Sequence, residues 1–156
     1  MASLESLYQQ VILDHAKEKH GHGLRAGGGE SHQYNPICGD EVTLRVASAA
    51  GTVADVSWAG EGCSISQAAT SVLHDLVVGQ PVATARTIVA DYRLMLRARG
   101  EGRPDEDVLG DAVAFAGVGR HANRVKCAML GWTAFEDALA QSEVSETKDH
   151  GKGDVR

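Results

Sequence analysis

The sequence predicts an α+β domain: a small three-stranded antiparallel sheet with helices packed on one face. Three observations carry this. Short alternating segments cluster between residues 30 and 59. Segments with apolar residues at steps of three and four dominate from residue 64 onward. A turn holding Gly51 joins the last two alternating segments as a hairpin.

The elements follow in order. Leu4, Leu7, Tyr8, Val11, Ile12 and His15 fall on one stripe, so residues 3–18 predict a helix with Ser3 as its N-cap. Residues 20–30 read as a loop, with Gly21, Gly23 and Gly27 to Gly29 as breakers. Glu30–Asn35 is a short strand stopped by Pro36. Glu41–Ala47 alternates, with Val42, Leu44 and Val46 on one face, and Thr52–Ala59 alternates less regularly through Val53, Val56 and Trp58. Ser64 and Gln67 match a capping box, which starts a helix at 64 that runs to Val78 and stops at Gly79. Further helices are expected over 82–98, 105–116 and from near Asn123. The last carries Ala128, Trp132, Phe135 and Leu139 on its apolar side. One domain is expected over residues 1–141. Residues 142–156 are polar and free of aromatics, and predict a disordered tail.

Composition narrows the function. A net charge of -6 argues against a nucleic-acid partner. No apolar run reaches the length of a membrane span, and the first twenty residues lack the apolar core of a signal peptide. A soluble, cytoplasmic protein is the expectation. Three cysteines are too few and too odd in number for a disulfide framework, and in a reducing compartment such cysteines point to metal binding or catalysis.

The cysteines sit in three distinctive segments. Cys38-Gly39-Asp40 offers two ligands around a glycine that permits a sharp turn. Gly60-Glu61-Gly62-Cys63-Ser64 places Cys63 at a helix start, where the dipole favours a thiolate. Arg124-Val125-Lys126-Cys127 places Cys127 at the edge of a buried helix face, beside two cations. Three thiolates and one carboxylate, from Cys38, Asp40, Cys63 and Cys127, suit tetrahedral zinc. The bland alternative for any one cysteine is a small buried apolar residue. His20 and His22 lie in the Gly-rich loop and read as solvated; His15 reads as packed.

The runs Asn35-Pro36-Ile37-Cys38-Gly39-Asp40, Gly60-Glu61-Gly62-Cys63-Ser64-Ile65-Ser66 and Arg124-Val125-Lys126-Cys127-Ala128, with the opening Leu7–His15 segment, closely resemble the SufU-type zinc-dependent sulfurtransferases. These are a branch of the IscU/NifU-like family, and the resemblance spans about residues 4–140. It implies an IscU/SufE-like fold and zinc held by Cys38, Asp40, Cys63 and Cys127. It also implies a SufS-type cysteine desulfurase as partner and a downstream SUF iron–sulfur assembly complex. In it Cys38 accepts persulfide sulfur and Arg124 positions or stabilises the anionic persulfide. Scaffold members carry a histidine immediately before the third cysteine; here that position is Lys126. The Gly100–Gly117 region fits an insertion typical of the sulfurtransferase branch, while Ala122 stands where a proline is common. A cluster scaffold on the same ligands, and an adaptor with a purely structural zinc, are the rival readings. The chain alone is expected to be a monomer.

Overall fold

The computed structural model of the chain describes the backbone of residues 4–155 and the side chains of residues 4–144. Helix α1 (Leu4–Glu18) is followed by strands β1 (Gly29–Asn35), β2 (Asp40–Ala49) and β3 (Thr52–Glu61). Then come α2 (Ser64–Val77), α3 (Val82–Arg97), a short α4 (Glu106–Leu109), a 3-10 segment (Gly110–Arg120) and α5 (Ala122–Val155). The strands form one antiparallel sheet in the order β1-β2-β3, and α2 and α5 cover its inner face.

The alternation of β2 is realised: Val42, Leu44 and Val46 are buried beneath the helices. The irregularity of β3 has a structural cause. Ala47 pairs with Asp55 while Ser48 pairs with Val53, so Ala54 is an extra residue in β3. This β-bulge lets Val53 and Val56, three apart, both turn inward with Trp58. Ala50 and Gly51 close the hairpin with φ 52° and 77°, as a two-residue turn of the I′ kind requires. β1 lacks apolar residues because α5 crosses it closely. A side chain at Gly29 would collide with the Ala138 carbonyl.

The loop after α1 is more ordered than a solvated connection. Gly23 donates to the Trp58 carbonyl at 2.8 Å and Trp58 donates to Gly21 at 3.1 Å, so residues 21–23 cover the outer edge of β3. Arg25 closes the loop by an ion pair to Asp55 at 2.8 Å.

Several expectations are revised. The stripe of α1 is buried only in its second half: His15 is buried and Tyr8 and Ile12 pack on the core, but Leu4 and Leu7 are 62% and 54% exposed because no element among the described residues covers the first turns. Ser3 lies outside the described residues. The helix expected over 105–116 is one α-turn, capped by Asp105, that gives way to 3-10 geometry at Gly110. Gly110 has φ 48°, outside the α-helical range, and ends the turn there. The packed body reaches Ser142, which is 2% exposed and bonded to Ser48 and the Leu139 carbonyl. Beyond residue 144 the side chains of the expected tail lie outside the described residues. Among the described residues no helix is long and apolar enough to cross a membrane.

Candidate metal centre

Three segments far apart in sequence meet at one end of the sheet. The first is the hairpin between β1 and β2. Asn35 pairs with Asp40 across the strands, leaving residues 36–39 as the loop. The Asn35 side chain accepts the Ile37 amide at 3.1 Å and its carbonyl accepts the Gly39 amide at 2.8 Å, so one residue shapes the whole turn. Gly39 has φ 70°, which a residue with a Cβ adopts only with strain. The result presents Cys38 at an exposed tip and begins β2 with a fully buried Asp40.

The second segment ends β3. Cys63 is half-buried and is itself the N-cap of α2, without a side-chain cap bond. The expected Ser64–Gln67 box is therefore not formed. The physical reason is that Asp40 has taken the task. Its Oδ1 accepts the Cys63 amide at 2.8 Å, and Ser66 Oγ donates to the Cys63 carbonyl at 3.0 Å. The glycines make room for this. A side chain at Gly62 would overlap the Asp40 carboxylate and stand 2.6 Å from Ser66 Oγ; one at Gly60 would strike the β2 backbone at Glu41.

The third segment is the start of α5. Cys127 is fully buried rather than at the edge of the buried face. It is held there by its helix neighbours Ala128 and Trp132, both fully buried. Trp132 stacks on Tyr92 at 3.6 Å, and the Tyr92 hydroxyl donates to the Ala128 carbonyl at 2.8 Å. α3 thus clamps α5 immediately after the cysteine.

The donor atoms converge. One each from Cys38, Asp40 and Cys127 lie within 4.8 Å of one another. The Cys38 and Cys127 sulfurs are 3.3 Å apart, and Cys63 Sγ joins through Asp40 Oδ2 at 3.7 Å. Around tetrahedral zinc, two thiolate sulfurs stand about 3.8 Å apart and a sulfur and a carboxylate oxygen about 3.5 Å. The spacing and the soft, anionic donor set both fit a thiophilic divalent ion. Burial pushes the Cys127 thiol well above the usual cysteine range, and the neighbouring Asp40, Cys38 and Cys63 push it the same way. A bound cation would reverse that balance and release protons.

Of the four predicted ligands, Cys38, Asp40 and Cys127 thus form one group, and Cys63 adjoins it through Asp40. Arg124 and Lys126 are not in that contact set. Both are exposed, and neither forms an ion pair among the described residues. Lys126 instead lines a groove of about 340 Å³ with Tyr34, Pro36, Ile37 and Met129, beside the Cys38 loop. Sequence reasoning missed Asn35 and Ser66 as organisers of the site. The Asn-Pro dipeptide is a turn signal that could have identified the first.

Comparison with known proteins places the chain in a family. Residues 7–128 match the family described as the NifU-like N-terminal domain. The chain is 34% identical to the iron–sulfur cluster assembly scaffold protein IscU of Streptococcus pyogenes serotype M1, over 91% of this chain and 88% of that one. It is 35% identical to the zinc-dependent sulfurtransferase SufU of Bacillus subtilis (strain 168), over 91% of this chain and 95% of that one. The crystal structure of the SUF-system protein FiSufU from Fervidobacterium islandicum AW-1 superposes with a TM-score of 0.74 at 32% identity. That match covers 88% of this chain and 99% of the other. Fold, cysteine segments and relatives concur, and the chain belongs to the NifU-like N-terminal domain family, together with its relatives named IscU and SufU.

Proposed function

We propose that this chain is a zinc-dependent sulfurtransferase. It accepts persulfide sulfur from a cysteine desulfurase and relays it to SUF-type iron–sulfur cluster assembly. The observation that carries the reading is the position of Cys38: exposed at a hairpin tip, yet with its sulfur 3.3 Å from that of fully buried Cys127. One thiol is presented outward while the rest of the donor set is fixed inside.

Zinc, when bound by Cys38, Asp40, Cys63 and Cys127, holds the thiols as thiolates at neutral pH. The chain's residues supply the rest. The Cys38 thiolate attacks the outer sulfur of the donor's persulfide. A sulfur–sulfur bond forms at Cys38, the donor's own breaks, and the donor cysteine leaves as a thiolate. Cys38 is the residue free to move, since it sits on an exposed loop shaped by the Asn35 turn bonds. Cys63 and Cys127 are anchored by α2 and α5. Arg124, exposed one turn before Cys127, is available to pair with the anionic persulfide.

The second reading is a scaffold that assembles a cluster on the same donors. It is supported by the relative named as a scaffold at 34% identity. Lys126, where scaffolds carry a histidine, favours the sulfurtransferase. The test is to purify the chain, determine its metal, and measure its effect on a cognate cysteine desulfurase. One zinc per chain, strong stimulation and Cys38-dependent uptake of labelled sulfane sulfur support the proposal. Normal uptake by Cys38→Ala, or an iron-bearing coloured protein that does not stimulate the desulfurase, overturns it.

A further inference from the structure

A second group of metal-binding side chains lies away from the cysteines. His15 of α1, His20 of the following loop and Asp75 of α2 each place a ligand atom within 4.8 Å of the others. Asp75 is eleven residues along α2 from Ser64, about 16 Å of helix rise from the cysteine end. The two groups therefore share no ligand and no ligand-bearing turn.

The surroundings of this group are organised. His15 Nε2 meets Asp111 Oδ2 at 3.0 Å. A carboxylate on one ring nitrogen fixes the proton there and leaves the other with its lone pair, the arrangement by which proteins orient metal-binding imidazoles. That other nitrogen, Nδ1, is met by Ser71 Oγ at 2.8 Å. Ser71 Oγ also accepts the His20 amide at 2.9 Å, so one hydroxyl draws both histidines together. The rings of His15 and His20 meet edge to face at 5.0 Å. His20 Nδ1 approaches Asp75 Oδ2 at 2.6 Å, and the second oxygen of Asp75 is held by His74 Nδ1 at 3.0 Å.

The loop is fitted to this place. Lys19 has φ 50° and Gly21 φ 83° on either side of His20, and a Cβ at Gly21 would meet the His74 ring at 2.5 Å. The His20 and Asp75 side chains are 37% and 43% exposed, which leaves a path for an ion, while His15 is buried beneath them. His22, by contrast, turns away and meets Trp58 edge to face.

The geometry points to an auxiliary divalent-cation site formed by His15, His20 and Asp75, independent of the cysteine centre. Two imidazoles and one carboxylate suit zinc, cobalt(II) and similar borderline ions better than calcium or magnesium. Binding sets the three donors about 3.3–3.6 Å from one another, the spacing of tetrahedral metal–ligand bonds of about 2.0–2.2 Å, so the 2.6 Å contact between His20 and Asp75 opens to admit the ion. The Ser71 hydroxyl rotates away from His15 Nδ1.

The test is a cobalt(II) titration of the untagged, metal-stripped full chain, with bound metal counted and the sulfur-to-cobalt absorption followed. The first equivalent is expected to raise that absorption, and a second to bind without adding to it. His20→Ala and Asp75→Asn are each expected to weaken the second equivalent at least tenfold and leave the first unchanged, which also verifies folding. His22→Ala is expected to leave both unchanged. A single equivalent in the wild-type chain overturns the inference. So does a second equivalent indifferent to His20→Ala and Asp75→Asn, which would mark it as adventitious.

Discussion

The Asp40 carboxylate accepts the Cys63 backbone amide at 2.8 Å and stands 3.7 Å from the Cys63 sulfur. One residue thus caps the start of α2 and stands in the proposed metal centre. Losing it does two kinds of damage that can be told apart. Asp40→Ala leaves the Cys63 amide unpartnered and is expected to lower stability by about 1–3 kcal/mol even without metal. Asp40→Asn keeps an acceptor oxygen but no charge, and is expected to spare most of that stability while still weakening zinc. Urea unfolding of the metal-free variants, set beside zinc competition with a chromophoric chelator, separates the two effects.

Gly62 supports the same arrangement from behind. A methyl group there overlaps the Asp40 carboxylate. Gly62→Ala is expected to lower zinc affinity about 10–100-fold, the usual cost of disturbing what orients a ligand. The same competition assay reads it. An unchanged affinity would mean that Asp40 is not a ligand or can relocate freely.

Much of this was legible in the chain. The period-two apolar residues of β2, the Ala50-Gly51 turn and the apolar side of α5 follow from local chemistry. The three cysteine segments with Asp40 name residues that the fold brings to one end of the sheet. What could not be read depended on distant partners. The irregular spacing of Val53 and Val56 is a bulge, visible only once β3 is registered against β2. The Ser64–Gln67 box gave way because a carboxylate from another strand reached the helix start first. The polar inner face of β1 made a weak strand signal, because the approach of α5 at Gly29 sets it and not residue apolarity. Leu4 and Leu7 match a buried stripe but stay exposed, since periodicity tells which residues share a face and not whether anything covers it.

The Tyr92 hydroxyl supports α5 one residue past Cys127. It donates to the Ala128 carbonyl, and burial raises its pKa, so it remains the neutral donor. Tyr92→Phe keeps the ring stacked on Trp132 and removes only this bond. A loss of about 1–2 kcal/mol is expected from chemical denaturation, with the metal still bound. A variant as stable as the wild type would show that the bond contributes nothing net.

Arg25 and Asp55 give a pH signature. Arg25, hydrogen-bonded to Asp55, holds that carboxyl below its ordinary value, while partial burial opposes the shift. A carboxyl with a lowered folded pKa stabilises the fold above its unfolded value of about 3.9. That contribution is lost as pH falls through the lowered folded value. The pair is partly exposed, so the effect is about 0–1 kcal/mol. Arg25→Ala is expected to be less stable than wild type near pH 6, and the gap should narrow as pH falls below the ordinary carboxyl value of about 3.9. Denaturation midpoints across this range measure it. A gap that persists in acid would assign the effect to packing instead.

The sulfurs of Cys38 and Cys127 come from positions 89 residues apart. An ion holding both ties the first hairpin to the last helix, and most of the packed core lies in the chain between them. On the chain-entropy scale, closing a loop of that length restricts the unfolded ensemble by about 4–5 kcal/mol. Loading would then work as an inspection of the finished molecule: a chain whose last helix has not docked has nowhere to hold the ion, and metal content becomes a count of completed folds.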